Sequence, residues 1–270
     1  MTLLIGADPE LFLKQNGAFV SAFGMVPGTK QSPHQVPKGA VQVDGMALEF
    51  NIDPAIGVKE FVHNITSVLG HLRNMVPEDF DFAVEAVAHF DKAYLKAQPA
   101  LAVALGCEPD FDAYLRTQNE QPDHTRPMRT AAGHLHIGWC DDDTDIDDRH
   151  MIRCGTVTKQ LDYILGIPSI VLDREAERRE MYGKAGTFRP KPYGVEYRVL
   201  SNFWLQSATL MEWVFKNTSN AFNLLSEKGV NLSVMFGDKA KDIINNNDLK
   251  AATKFLEGDL RPYVDMEGIV

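Results

Sequence analysis

Cysteine is scarce: the 270 residues hold three, Cys107, Cys140 and Cys154, and no C-x-x-C pair. An odd number without paired spacing argues against a disulfide framework and leaves buried thiols in a reducing compartment as the expectation. No apolar run reaches the ~20 residues of a membrane-spanning helix, and Met1 to Gly6 carries no basic leader, so a cytoplasmic protein without a membrane partner is expected. Basic residues are outnumbered, 27 Lys plus Arg against 37 Asp plus Glu, giving a net charge of −10. Nucleic acid is therefore a disfavoured partner, because proteins that bind its phosphates usually carry the opposite sign. Also absent are G-x-x-x-x-G-K-[ST], G-x-G-x-x-G and G-x-S-x-G, which excludes a P-loop, a dinucleotide-binding turn and a hydrolase nucleophile elbow.

What is present is a chain 44% hydrophobic and 24% charged, enough for one large domain. Residues 2–15 read as a strand and 18–23 as its hairpin partner, with a Pro/Gly-rich loop over 27–39 and one or two strands over 41–53. A helix is expected over 58–75, where Phe61, Ile65, Val68, Leu69 and Leu72 recur at helical spacing. Residues 80–90, 130–139 and 194–200 are strand-like, and 98–129 an irregular excursion. Helices are expected near 149–165, 168–181 and 204–227, with a loop over 183–192 and smaller helices to the C-terminus. The acidic run 141–148 lacks the glycine and distal glutamate of a calcium-binding EF-hand loop, and suits the N-terminus of the helix after it. Strands interspersed with helices indicate an α+β fold with helices on one face of an antiparallel sheet.

Four of these strands share an oddity. Side chains at i and i+2 of a strand point to one face. Asp8 and Glu10, Glu49 and Asn51, His134 and His136, and Glu196 and Arg198 are each such a pair, while Leu48, Phe50, Leu135, Ile137, Val195 and Tyr197 fill the opposite faces. If the strands are neighbours, one face gathers Asp8, Glu10, Glu49 and Glu196. At separations of ~5–8 Å each like-charge pair costs on the order of 2–3 kcal/mol. Divalent cations relieve such clusters, and carboxylates select Mg2+ or Mn2+, the latter tolerating an imidazole. A half-solvated outer sheet face is the plainer alternative. A second cluster is cationic: Arg174, Arg178, Arg179, Lys184, Arg189 and Lys191 precede Glu196 and Arg198. Guanidinium groups bind phosphate oxygens bidentately, so beside a metal site they describe a nucleoside triphosphate site.

Four motifs, in order, resemble the glutamine synthetase and glutamate–cysteine ligase superfamily, and most of all its small bacterial and phage carboxylate–amine ligases (amidoligases). Gly6 to Leu13 (GADPELFL) resembles the first metal-binding strand and Val43 to Asn51 (VDGMALEFN) the second acidic strand. Gly133 to Gly138 (GHLHIG) is similar to the histidine strand, and Phe188-Arg189-Pro190 with Val195 to Arg198 (VEYR) to the closing Arg…Glu-x-Arg element. The chain departs in carrying Asp8 where many members have glutamate, and in having no counterpart of the separate N-terminal domain of glutamine synthetases.

The resemblance implies a sheet of the glutamine synthetase catalytic-domain type, with helices on one face and the active site on the other. It implies one catalytic domain over 1–270, a sheet core to about residue 202 and helices beyond. It further implies an ATP-dependent ligase in which a small-molecule or peptide carboxylate becomes an acyl phosphate that an amine attacks. Under it Asp8, Glu10, Glu49, His134 and Glu196 bind Mg2+ (or Mn2+), while Arg189 and Arg198 clamp the transferring phosphoryl group. Asp44 accepts a proton from the amine, or merely forms a turn before Gly45. His136, Arg179, Arg189 and Lys184 contact the nucleotide, with Tyr182 and Lys38 as accessory contacts. A phosphagen-kinase-like phosphotransferase, a metal-dependent hydrolase and a non-catalytic ATP- and metal-binding relative remain as alternatives.

Overall fold

The computed structural model describes residues 2–103, 110–120, 126–141 and 143–269. Cys107, Asp142 and the stretches 104–109 and 121–125 of the expected excursion lie outside the described residues. The chain begins with β1 (Leu4–Gln15), β2 (Ala18–Val20), β3 (His34–Val36), β4 (Gly39–Asp44) and β5 (Ala47–Ile52). Helix α1 (Val58–Met75) leads to β6 (Phe80–Ala83), β7 (Val87–His89), α2 (Lys92–Ala97) and α3 (Ala100–Val103). Short strands β8 (Phe111–Asp112), β9 (Thr117–Gln118) and β10 (Met128–Thr130) precede β11 (Gly133–Gly138). Helix α4 (Asp148–Leu161) passes through a π-turn (Asp162–Gly166) into α5 (Ile167–Leu172), and α6 (Glu177–Met181), β12 (Thr187–Lys191) and β13 (Gly194–Tyr197) follow. After a 3-10 turn (Asn202–Gln206) come α7 (Ala208–Ser226), α8 (Leu232–Phe236), α9 (Lys239–Asn245) and α10 (Leu249–Glu257).

Among the described residues, eleven strands form one sheet in the order β3-β4-β5-β1-β11-β13-β12-β8-β9, with β2 and β6 also paired to β1. The pairings that make the sheet are antiparallel, as the sequence suggested. Opposed residues of an antiparallel pair share a face, so the register decides what each face collects. Leu11 pairs with Leu48, Leu135 with Tyr197 and Ile137 with Val195, which makes that face apolar and buried. Helix α1 covers β4 and β5, α7 covers β1, and α4 covers β12 and β13. The Phe61, Ile65, Val68 and Leu72 stripe of α1 is wholly buried against this layer. On the other face Phe12 and Met46 are capped by Phe19, Phe90 and Ala102, so the polar stretch around Asp8 and Glu10 ends against a second small core. Among the described residues no helix is long and apolar enough to cross a membrane.

Three expectations need correction. Pro168 does not open a new helix: its missing N–H falls at the first turn of α5, just past the π-turn, so the helical path continues from α4. The path then breaks after Leu172, leaving α6 as a separate short helix. The expected loop over 183–192 contains β12, with Pro190 opposite Val195. Proline is tolerated there because, among the described residues, β8 pairs with β12 only at Thr187 and Phe188, so no described strand calls for an N–H from Pro190 on that side.

Candidate active site

Strand register builds the polar face. Asp8 stands opposite His134, Glu10 opposite Glu49, Gln42 opposite Glu49, and Glu196 opposite both His136 and Arg189. All five expected metal ligands therefore lie on one face of one sheet. Gly133 allows this strand to enter: a Cβ there would meet Ser201 O at 2.3 Å and Trp204 Nε1 at 2.4 Å. Trp204 Nε1 donates to Gly133 O at 3.1 Å, which anchors the strand just ahead of His134.

A cavity of about 570 Å3 opens over this face. Asp8, Glu10, Asp44, Glu49, His134, Lys184, Arg189 and Arg198 line it, as does Tyr182. Arg129, Arg178, Asp110 and Asp112 complete much of the wall. Glu196 is fully buried beneath the cavity wall. Arg198 bonds it, Arg189 Nη1 reaches it at 3.2 Å and Lys191 Nζ at 3.1 Å. His136 and Lys38 are not among the lining residues. His136 sits between Asp8, 3.1 Å from Nε2, and the Tyr193 hydroxyl, 2.5 Å from Nδ1. Arg179 also lies off the cavity. It is buried and donates to the carbonyls of Ser169, Asp173 and Glu175 around the end of α5. Its neighbour Arg178 faces the cavity instead.

The acids on this face are not equivalent. Burial, then Asp44, pushes the Glu10 carboxyl up to about 7, although the Ala132 N–H donates to Oε2 at 2.9 Å. Glu49 is raised well above the usual carboxylate range by burial and by Asp8, Glu10 and Asp44, against the 2.6 Å hydrogen bond from Gln42 Nε2. Asp8 moves the other way: burial opposes its ionisation, but His136 and His134 together outweigh it. Its buried Oδ1 has imidazole nitrogens at 3.1 and 3.4 Å, yet no hydrogen bond of good geometry. Burial likewise opposes Glu196, and the Arg198 guanidinium wins, holding it low. Burial and Arg198 push His134 down to about 4, leaving a neutral imidazole whose Nδ1 lies 3.4 Å from Arg198 Nη1.

Ligand atoms of Asp8, His134 and Glu196 lie within 4.8 Å of one another, close enough for one metal ion. Charge balance separates the three. Glu196 already has three cations, whereas Glu10 and Glu49 face each other across β1 and β5 with none in salt-bridge range among the described residues. The unmet negative charge thus lies at Glu10 and Glu49, next to Asp8. Sequence reasoning passed over Gln42, Tyr193 and Asp110. Gln42 was open to the same i, i+2 reading, being two residues ahead of Asp44 on β4. Asp110, 3.2 Å from Arg198 Nε, and Tyr193 arrive only through tertiary contacts.

Residues 131–222 match the family described as phage phiEco32-like COOH.NH2 ligase-type 2, so the resemblance to carboxylate–amine ligases holds over that stretch. It takes in the histidine strand, the arginine cluster and the Glu-x-Arg strand. No curated protein matches the chain. Among solved structures it is similar to a bifunctional glutathione synthetase from Pasteurella multocida, at 9% identity and TM-score 0.41, covering 97% of this chain and 49% of that one. It is also similar to a structure described as a novel glutamine synthase homolog, at 10% identity and TM-score 0.40, covering 100% of this chain and 68% of that one. The chain thus spans about half the length of the first of these.

Proposed function

We propose that the chain is an ATP-dependent carboxylate–amine ligase, one catalytic domain whose sheet is of the glutamine synthetase type. The observation that carries this reading is the register, which sets Asp8, Glu10, Glu49 and His134 on one cavity wall with Arg189 and Arg198 beside them. The family match over the histidine and arginine elements supports it. The free thiols Cys140 and Cys154 suit a cytoplasmic setting.

The donor set fits Mg2+ or Mn2+: hard carboxylate oxygens, one neutral imidazole, and an Asp8 oxygen buried without a hydrogen bond. Asp8, Glu10, Glu49 and His134 would hold the ion, with Glu196 as a buried contributor. When bound, a divalent ion neutralises phosphate charge during transfer. Arg198 and Arg189 are held from behind by Glu196, so their guanidinium planes are oriented before any ligand arrives. Such pre-set donors are aimed at charge that spreads over the phosphoryl oxygens as the acid attacks the γ-phosphate. Lys184 supplies a further cation at the cavity wall for the nucleotide. Asp44, paired with Lys30 at 3.8 Å, lines the cavity and is the candidate acceptor for the amine proton.

The test is product analysis by mass spectrometry with ATP, Mg2+ and pooled amino acids. An amide product with one ADP per bond supports the reading; a phosphorylated product, or ATP-independent hydrolysis, refutes it. Arg198→Ala should bind ATP–Mg2+ within a few fold of wild type and lose on the order of 10²–10³ in kcat. A folded variant with wild-type turnover would remove Arg198 from the phosphoryl clamp.

A further inference from the structure

His136, on β11 two residues beyond His134, is off the cavity lining, and its ring is held at both nitrogens. Its strand partner on β1 is Gly6, which is not one of the left-handed glycines, so what counts there is the missing side chain. With nothing opposite to block it, the imidazole crosses diagonally to Asp8, two residues along β1, and sets Nε2 3.1 Å from Oδ1. The Tyr193 hydroxyl, from the turn between β12 and β13, meets Nδ1 at 2.5 Å. That turn does not need the hydroxyl to stay in place. Trp139 N and Cys140 N donate to Tyr193 O at 2.8 and 2.9 Å, and His150 Nε2 from α4 donates to Lys191 O at 2.8 Å and Gly194 O at 3.2 Å. Facing a carboxylate oxygen, Nε2 carries a hydrogen, and the hydroxyl then serves Nδ1, as donor to a neutral ring or acceptor from a charged one. Asp8 Oδ1 has no hydrogen bond of good geometry among the described residues, so the ring steers the carboxylate and leaves lone pairs for a cation.

We propose that Tyr193 is a positioning residue: through His136 it holds the Asp8 carboxylate ready for a divalent ion, and His136 serves Asp8 and not the nucleotide. The ion at Asp8 is taken from the ligase reading; the Tyr193–His136–Asp8 chain is not. A ligating carboxylate that is free to swing must be ordered when the ion binds, and removing the outer partner of a metal ligand costs about 10–100-fold in affinity. The competing account makes the pair a pin between the β12–β13 turn and β11, with ring centroids 6.1 Å apart and planes tilted by 47°. A pin acts on stability and leaves nucleotide-free metal affinity alone, and so does a histidine that touches only the nucleotide.

Titration of the nucleotide-free chain with Mn2+, followed by the electron paramagnetic resonance of the free ion, separates these accounts. Tyr193→Phe keeps the ring and drops the hydroxyl. It should weaken Mn2+ binding about ten-fold. Its metal-free thermal midpoint should fall by no more than about 4 °C, the scale of one hydrogen bond. His136→Ala should weaken Mn2+ binding at least as much. The double variant should bind no more weakly than His136→Ala alone, because the hydroxyl acts only through the ring. Wild-type Mn2+ affinity in Tyr193→Phe, losses that simply add in the double variant, or a Tyr193→Phe chain that does not fold would overturn the proposal and leave the ligase reading standing. Wild-type protein that binds no Mn2+ would overturn the metal site of that reading, and the proposal with it.

Discussion

Glu10 and Glu196 are the same side chain on the same sheet face, and they titrate in opposite directions. Glu10 accepts a backbone N–H and has no cation in salt-bridge range among the described residues, so burial, and then Asp44, lifts it to about 7. Glu196 is more deeply buried, but three cations reverse the outcome. A carboxyl raised in the folded state stabilises the fold below its ordinary value of 4.5, and that contribution is lost as pH rises through about 7. His134, pushed down to about 4, has the opposite dependence: its contribution is present above 6.5 and lost as pH falls through 4. The wild-type stability curve therefore mixes two opposed slopes, and a variant is needed to isolate one. Glu10→Gln keeps an acceptor for Ala132 N–H and cannot ionise. Without divalent ions it should gain on wild type, between pH 4.5 and pH 8, by on the order of 3 kcal/mol in urea unfolding. A difference that does not change with pH would mean that Glu10 is not strained by its charge.

At the scale of elements, what could be read in advance was what is local. The helix over 58–75 and the polar pairs of β1, β5, β11 and β13 each announce themselves within a few residues, because period 3.6 and period 2 need no partner to be seen. Their adjacency was an assumption, and the sheet order supplies it. The β8–β9 ribbon was not legible: two-residue strands cannot show alternation, and their pairing depends on distant β12. Nor was the hub holding that ribbon. Buried Asp162, in the π-turn, accepts from Tyr114 Oη at 2.9 Å, from Gly186 N at 2.7 Å and from Tyr197 Oη at 2.9 Å. It thereby ties the ribbon and the loop before β12 to the helical layer, and both carry cavity-lining residues, Asp112 and Lys184 among them. Tyr114→Phe removes one bond of this hub and leaves the packing. Losing it should cost about 1 kcal/mol, so amide exchange over 111–118 should quicken roughly five-fold. Exchange that is unchanged there would show that β12 pairing alone holds the ribbon.

For the whole molecule, the carboxylate face is a fault in the metal-free fold that the rest of the chain tolerates. Two acids, Glu10 and Glu49, with no cation in salt-bridge range among the described residues, sit over a sheet whose other side is a continuous apolar core, and the chain as a whole carries −10. Any divalent ion that binds only the folded state adds stability as the logarithm of its excess over Kd, about 2.7 kcal/mol at a hundred-fold excess. For a chain of this size that corresponds to a rise in the thermal midpoint of roughly 5–10 °C. Mg2+ or Mn2+ should produce it at pH 8, where Glu10 must otherwise ionise unaided. NaCl at matched ionic strength should not, since screening acts weakly on buried charges. Glu49→Gln should blunt the response while raising the metal-free midpoint, because it deletes one of the repelling charges. A full Mg2+ response in that variant would dismiss Glu49 as a ligand, and an equal response to NaCl would dismiss the metal site altogether.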